Sequence, residues 1–257
     1  MEILISIVIF IYGLVFGSFY NVVGYRLPKG MSLIKPRGSI CPNCNHELKW
    51  YELIPLLSFI IQRGKCTKCK CKISLFYPLI ELLTGLLFLI SYITFGFSTE
   101  LIISLILCSY FVIVVVSDGR YMEIPDEVTL TMSILLILTE VLAYGPVETL
   151  KLIVSGLALF GILFIFMKIC NFIFKKETLG GGDIKLEFFN GCLLGLPNGL
   201  FSIFIGSLLA LPFSIFNIKS NNKNIIPFGP FLLFGAILIY ILKIDVVKII
   251  NDLSYLI

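Results

Sequence analysis

Charge is scarce in this chain: Asp, Glu, Lys and Arg make up 14% of its 257 residues, about half the share that soluble domains carry. Against that stand 58% hydrophobic residues and a mean hydropathy of +1.01, which together exclude a water-soluble globular enzyme. The first apolar run lacks the basic flank and small-residue cleavage site of a signal peptide and has Glu2 instead, so it is expected to remain as an anchor. No Lys-Ser or Lys-Thr pair follows the glycine-rich segment at 180–182, which argues against a phosphate-cradling loop. The inverted repeats of a transporter are missing. The basic segment also lacks interleaved aromatic residues, so no nucleic-acid partner is expected.

What the chain does have is a series of apolar runs, at 3–23, 75–95, 101–117, 127–144, 150–174, 184–196, 198–217 and 225–242. About 20 apolar residues cross a bilayer core. The expected fold is therefore an all-α polytopic membrane protein of about eight transmembrane helices. Its expected parts are an anchor helix at 1–23, a polar loop domain at 24–74 and a membrane domain at 75–257. The spacings Gly13-x-x-x-Gly17 and Gly191-x-x-x-Gly195 suit close helix packing, within the chain or between copies.

The polar block at 24–74 holds ten Lys or Arg against Glu47 and Glu52, a balance of +8, while the remainder carries ten cations against fourteen acids. With this block in the cytoplasm, seventeen of the twenty cations fall on that side, and only Lys151, Lys243 and Lys248 fall outside. This follows the positive-inside rule and points to a cell membrane protein whose basic loop meets lipid headgroups. The turns at 117–126 and 175–183 then share the cytoplasmic face, with Asp118 and Asp183 at similar depth.

Five of the eight cysteines lie in the polar block. Cys41-Pro-Asn-Cys44 and Cys66-Thr-Lys-Cys69 form two knuckles with 21 residues between them, the pattern of a tetrahedral four-sulfur zinc site. A reducing cytoplasm disfavours the disulfide alternative. Cys71 and His46 stand beside the knuckles as possible replacement ligands.

Gly180-Gly181-Gly182-Asp183 places a carboxylate at the start of an apolar run, where ionisable groups point to function. Candidate partners are Asp118, which ends an apolar span, and Asp126, which also reads as a helix cap after Pro125. Two carboxylates in a low-dielectric site share a proton, so that one activates water while the other polarises a carbonyl.

Further motifs surround these: Gly17-Ser18-Phe19-Tyr20-Asn21-Val22-Val23, Tyr25-Arg26-Leu27-Pro28, Trp50-Tyr51-Glu52, Ile54-Pro55-Leu56-Leu57-Ser58, Tyr77-Pro78 before Glu81-Leu82-Leu83-Thr84, and Ile226-Pro227-Phe228-Gly229-Pro230. In this order, with the cysteine pairs and Gly180-x-Gly182-Asp183, they resemble the bacterial type IV prepilin peptidases. The resemblance implies an intramembrane-type aspartic protease with Asp118 and Asp183 as its dyad, supported by Gly180, Gly182 and Lys185. It implies an eight-helix fold, a cytoplasmic zinc-bearing loop held by Cys41, Cys44, Cys66 and Cys69, and S-adenosylmethionine as methyl donor. The implied substrates are prepilins or pseudopilins, cut after glycine and N-methylated on the new first residue. Asn21, Arg26, Glu52 and Glu81 are the polar groups available to order that donor or the amine. Glu187, Phe188 and Phe189 depart from the family, which has smaller residues there. A peptidase without methyl transfer and a zinc-binding membrane adaptor or transporter are the alternative readings.

Overall fold

A computed structural model describes residues 1–34, 38–41, 43–176, 178–221 and 226–254; Lys35, Arg37 and Lys223 of the basic count lie outside the described residues. The described chain is helical, without strands beyond two isolated bridges, Ile40 with Glu47 and Lys65 with Lys72. It divides into two compact units, Met1–Phe97 and Ser98–Ile257.

The first unit packs α1 (Glu2–Arg26) against α3 (Phe76–Phe95), with the polar block and the short α2 (Leu57–Ile61) between them in sequence. Lipid gives two apolar helices no hydrophobic reason to pair, so contact depends on how closely their backbones fit. Here the fit is glycine on glycine. A Cβ added at Gly13 would lie 2.7 Å from the Cα of Gly85, and one at Gly17 would lie 2.8 Å from the Cα of Glu81. The Gly13-x-x-x-Gly17 spacing therefore serves packing inside this unit.

The second unit contains α4 (Thr99–Tyr121), α5 (Asp126–Tyr144), α6 (Pro146–Phe174), α7 (Gly181–Asn221), α8 (Gly229–Ile241) and the amphipathic α9 (Val246–Ser254). Ser98 caps α4 by accepting the Leu101 amide at 3.2 Å. Helix α4 is its buried centre: Leu107, Cys108, Tyr110, Val112 and Val114 have essentially no exposed surface. Phe166, Phe172, Leu150 and similar large residues lie exposed on the outer faces, the arrangement expected of lipid-facing surface.

Six helices among the described residues are long and apolar enough to cross a membrane, and α8 is a shorter apolar helix of 13 residues. The expected sixth and seventh spans run within α7, whose 41 residues would measure about 60 Å as a straight rod. It is not straight. Gly195 adopts φ 73 and ψ 169, Pro197 follows, and a Cβ at Gly199 would lie 3.7 Å from the Cα of Gly191. The halves at 181–194 and 196–221 thus fold back on each other. Gly195 belongs to this reversal, while Gly191 packs on α6, where its Cβ would meet the Cα of Gly156 at 2.7 Å.

Thermal unfolding in detergent micelles tests this packing. Gly191→Ala is expected to destabilise by about 1–3 kcal/mol through forced separation of α6 and α7. Gly161→Ala, which meets nothing within 4 Å, is expected to leave the midpoint unchanged or raise it, since alanine is the better helix former.

Candidate active site and metal centre

Asp118 was expected in a connecting turn, but α4 continues to Tyr121, so Asp118 sits in its last turn. The helix runs on through Gly119 and ends at Met122, which takes a left-handed conformation and returns its amide to the Asp118 carbonyl at 3.0 Å. The Asp118 carboxylate is buried, and its Oδ2 accepts the Gly229 amide at 3.1 Å from the start of α8. A Cβ at Gly229 would lie 3.3 Å from that oxygen and 2.7 Å from Cδ1 of Ile124. Gly229 meets the Asp118 carboxylate; in the sequence it had no role of its own and appeared only as a member of the Ile226-Pro227-Phe228-Gly229-Pro230 motif.

Asp183 lies in the first turn of α7, where the helix dipole favours a negative charge. Ile124, which lies against Gly229 beside the Asp118 carboxylate, also lies against Gly182, so both aspartates border one apolar side chain. The two outer glycines of the triplet have steric reasons that the middle one lacks. A Cβ at Gly180 would stand 3.0 Å from Oδ2 of Asp183, one at Gly182 would stand 3.1 Å from Cβ of Ile124, and one at Gly181 meets nothing within 4 Å. Ile124 therefore fills the space beside both Gly182 and Gly229.

Asp126 is placed differently. It begins α5, it is exposed, and both its oxygens accept from Lys185 Nζ at 2.7 Å. Lys185, two residues after Asp183, thereby ties the start of α7 to the start of α5. Deeper in α7, Phe189 packs edge-on against Tyr110 with centroids 4.9 Å apart, and Tyr110 bonds to Thr129 at 2.8 Å. Glu187 is fully buried; its Oε1 accepts from Asn190 at 3.1 Å, and its Oε2 has no partner among the described residues.

In the first unit the two cysteine knuckles share one backbone design. The Cys41 amide bonds to the His46 carbonyl and the Cys66 amide to the Cys71 carbonyl, each at 2.9 Å. Asn45 and Lys70 take matching left-handed turns with φ 53 and 58. All five thiols of the block converge. Cys41, Cys66, Cys69 and Cys71 lie mutually within 4.8 Å, and Cys44 lies 3.9 Å from Cys66. The quartet within that limit includes Cys71, named beside the knuckles as a replacement ligand, while Cys44 of the expected set touches Cys66. Amides of Asn43 and Cys44 lower the Cys41 thiol, and the Cys71 amide draws Cys69 down to about 5. The Cys69 sulfur, with burial, pushes Cys71 up to about 12. Four sulfur donors at this spacing suit zinc, which prefers a tetrahedral thiolate shell.

The four residues considered for the methyl donor also fall in this unit. Glu52 is buried and accepts from the Lys49 amide at 2.7 Å, from the Thr67 hydroxyl, and from His46 at 3.3 Å, joining the two knuckles. Glu81 accepts the amide of Leu56 at 2.9 Å, holding a left-handed turn against α3. Arg26 donates to the carbonyls of Ser32, Leu33 and Gly38 and so folds the start of the block. Asn21 is buried and donates to the Tyr77 carbonyl at 3.3 Å, while its Oδ1 has no partner among the described residues.

Residues 11–95 match the model of the Bacterial Peptidase A24 N-terminal domain, and residues 105–215 match that of the Type IV leader peptidase family. The prepilin leader peptidase/N-methyltransferase of Bacillus subtilis (strain 168) is 36% identical over 237 residues, covering 91% of this chain and 93% of that one. The protein of the same name from Vibrio cholerae is 34% identical over 207 residues, 76% of this chain and 80% of its own. That from Klebsiella pneumoniae is 35% identical over 194 residues, 73% and 84% of the two chains. No solved structure matches.

Glu52 supplies a pH test. Burial alone raises its carboxyl, but the Thr67 hydroxyl, the Lys49 amide and His46 outweigh it and leave the group below the ordinary carboxylate range. Its stabilisation is therefore complete above the unfolded value of about 4.3 and is lost as pH falls through the lower folded value. Hydrogen exchange across 39–73 is expected to be faster in Glu52→Gln by about tenfold or more at pH 7. The gap from wild type is expected to close as the pH is taken below about 4. A gap that stayed constant with pH would show that the charge of Glu52 is not what holds the knuckles together.

Proposed function

The chain belongs to the type IV leader peptidase family, and from that premise we propose that it removes the leader of type IV prepilins or pseudopilins after a glycine and N-methylates the new first residue. It is a multi-pass membrane protein, and we place its active site at the cytoplasmic side of the cell membrane, where a substrate's basic leader gives way to its apolar stem. Asp118 and Asp183 form the catalytic dyad. The observation that carries this reading is that Asp118 is buried on the Gly229 amide and that Ile124 lies against both Gly229 and Gly182, the neighbour of Asp183, whereas Asp126 is exposed and held by Lys185.

The dyad shares one proton. The ionised carboxylate takes a proton from water as the water oxygen bonds to the scissile carbonyl carbon, and the protonated carboxyl donates to the carbonyl oxygen. The tetrahedral diol then loses its C–N bond, and the amine nitrogen takes up a proton as it leaves. The Gly229 amide occupies Oδ2 of Asp118, which leaves Oδ1 to face water or substrate. Gly180 keeps the space beside Asp183 clear, and Lys185 fixes the helix that carries it.

S-adenosylmethionine, when bound, supplies an electrophilic methyl group to the freed α-amine, which has a pKa near 8 and is partly neutral at physiological pH. Asn21 fits a role in holding donor or amine, because its buried Oδ1 is an acceptor still unpartnered among the described residues. Arg26, Glu52 and Glu81 hold the fold of the polar block through the ties already described. Zinc on the cysteine knuckles gives this polar block much of its folding energy.

Mass spectrometry of a prepilin-like peptide, incubated with detergent-solubilised protein and S-adenosylmethionine, tests the whole reading. Wild type is expected to remove the leader and add one methyl. Asp118→Asn and Asp183→Asn are expected to lose cleavage by about a thousandfold or more, and Asp126→Ala to stay within about tenfold of wild type. Gly180→Ala, which crowds Asp183, is expected to lose roughly a hundredfold, and Gly181→Ala only a few-fold. Asn21→Ala is expected to cleave but not methylate. Cleavage by Asp118→Asn at the wild-type rate would sink the dyad assignment, and leader loss without methylation in wild type would leave a peptidase alone.

A further inference from the structure

We propose that the metal centre has two interchangeable fourth ligands, Cys44 and Cys71, on a shared base of Cys41, Cys66 and Cys69. This rests on the reading that zinc occupies the knuckles, and it concerns which sulfurs hold the ion. A tetrahedral site with zinc–sulfur bonds of about 2.3 Å requires its sulfurs to stand about 3.8 Å apart. Cys41 meets that spacing with Cys69 at 3.8 Å and with Cys71 at 3.6 Å, and Cys44 meets it with Cys66 at 3.9 Å. Cys44 reaches the base at the sulfur of Cys66, and Cys71 reaches it at the sulfurs of Cys41 and Cys69; the last pair, at 3.2 Å, opens slightly when both bind one ion. Cys71 also lies within 4.8 Å of Cys66. The base is common to both quartets.

The backbone explains how the fifth sulfur arrives. The knuckles are built alike, and Cys71 holds in the second the position that His46 holds in the first, each returning its carbonyl to the opening cysteine amide. His46 turns to Glu52 at 3.3 Å, whereas the sulfur of Cys71 lies 3.2 Å from that of Cys69. Zinc accepts four ligands in a closed structural site, so five converging thiols leave one in reserve. Exchange balances without an oxidant. The Cys71 thiol releases its proton and its sulfur bonds to zinc, the bond from zinc to the Cys44 sulfur breaks, and that thiolate takes up a proton from solvent.

Cobalt(II) substituted into the full-length protein in detergent reports the number of bound sulfurs through thiolate charge-transfer absorption, and elemental analysis gives zinc per chain. Cys44→Ala and Cys71→Ala are each expected to keep one metal per chain and a four-sulfur spectrum. The double variant is expected to fall to three sulfurs, as is Cys66→Ala. A three-sulfur spectrum from either Cys44→Ala or Cys71→Ala alone overturns the proposal, as does a four-sulfur spectrum from the double variant. Wild type that binds neither metal would remove the zinc reading itself, an outcome distinct from any failure confined to a single variant.

Discussion

Close backbone contact between helices is the constraint on which the rest of this molecule depends. In lipid the association of apolar surfaces gains little, and what remains is packing and the satisfaction of polar groups. Gly13 against Gly85, Gly156 against Gly191, and Gly206 against the Phe231 carbonyl are positions where even one added carbon has no room. Because these backbones meet so closely, the groups that project from them are placed with little slack. Gly182 and Gly229 repeat the device beside the aspartates, where the side chain of Ile124 lies against both.

The same closeness lets costly polar groups persist in an apolar setting. An unpaired buried polar group costs several kcal/mol in such surroundings, and most of those here have a specific partner: Asp118 the Gly229 amide, Tyr110 the Thr129 hydroxyl, Glu81 the Leu56 amide. The exceptions stand out for that reason. Asn21 Oδ1, Ser133 Oγ, Glu140 Oε2, Glu187 Oε2 and Asn190 Oδ1 are buried without one among the described residues. Asp126 solves the problem differently, by remaining at the surface with Lys185.

Much of this was legible in the sequence, for identifiable reasons. Apolar run length located the helices because a bilayer sets a minimum span, and the paired cysteines announced a metal knuckle because two thiolates from one tight turn need that spacing. The reversal within α7 was legible as a boundary between two runs at Pro197, whereas Gly195, where the backbone turns, had read as a packing residue. Asp118 and Asp126 could not be separated on residue type, since both flank one turn; what separates them is Lys185, distant in sequence and adjacent in space. Cys71 was named only as a replacement ligand because spacing describes the pair Cys66 and Cys69, while its approach to the other sulfurs depends on the left-handed turn at Lys70. The motif Ile226 to Pro230 was visible, but not the contact of its Gly229 amide with Asp118, because a backbone amide carries no sequence signature.

The bond between Asp118 and the Gly229 amide joins residues 111 positions apart, and that separation acquires meaning when the chain is considered in the order of its synthesis. The cysteine knuckles are complete by residue 71, before α3 has been made, so the polar block is able to organise while most of the membrane portion is still untranslated. Asp118 enters the bilayer long before either Asp183 or the amide that steadies it exists. A nascent or truncated chain lacking α8 therefore carries the first aspartate without the group that fixes its orientation. The contact that fixes the Asp118 carboxylate is thus deferred until α8 has been made, by nothing more than the order of the residues.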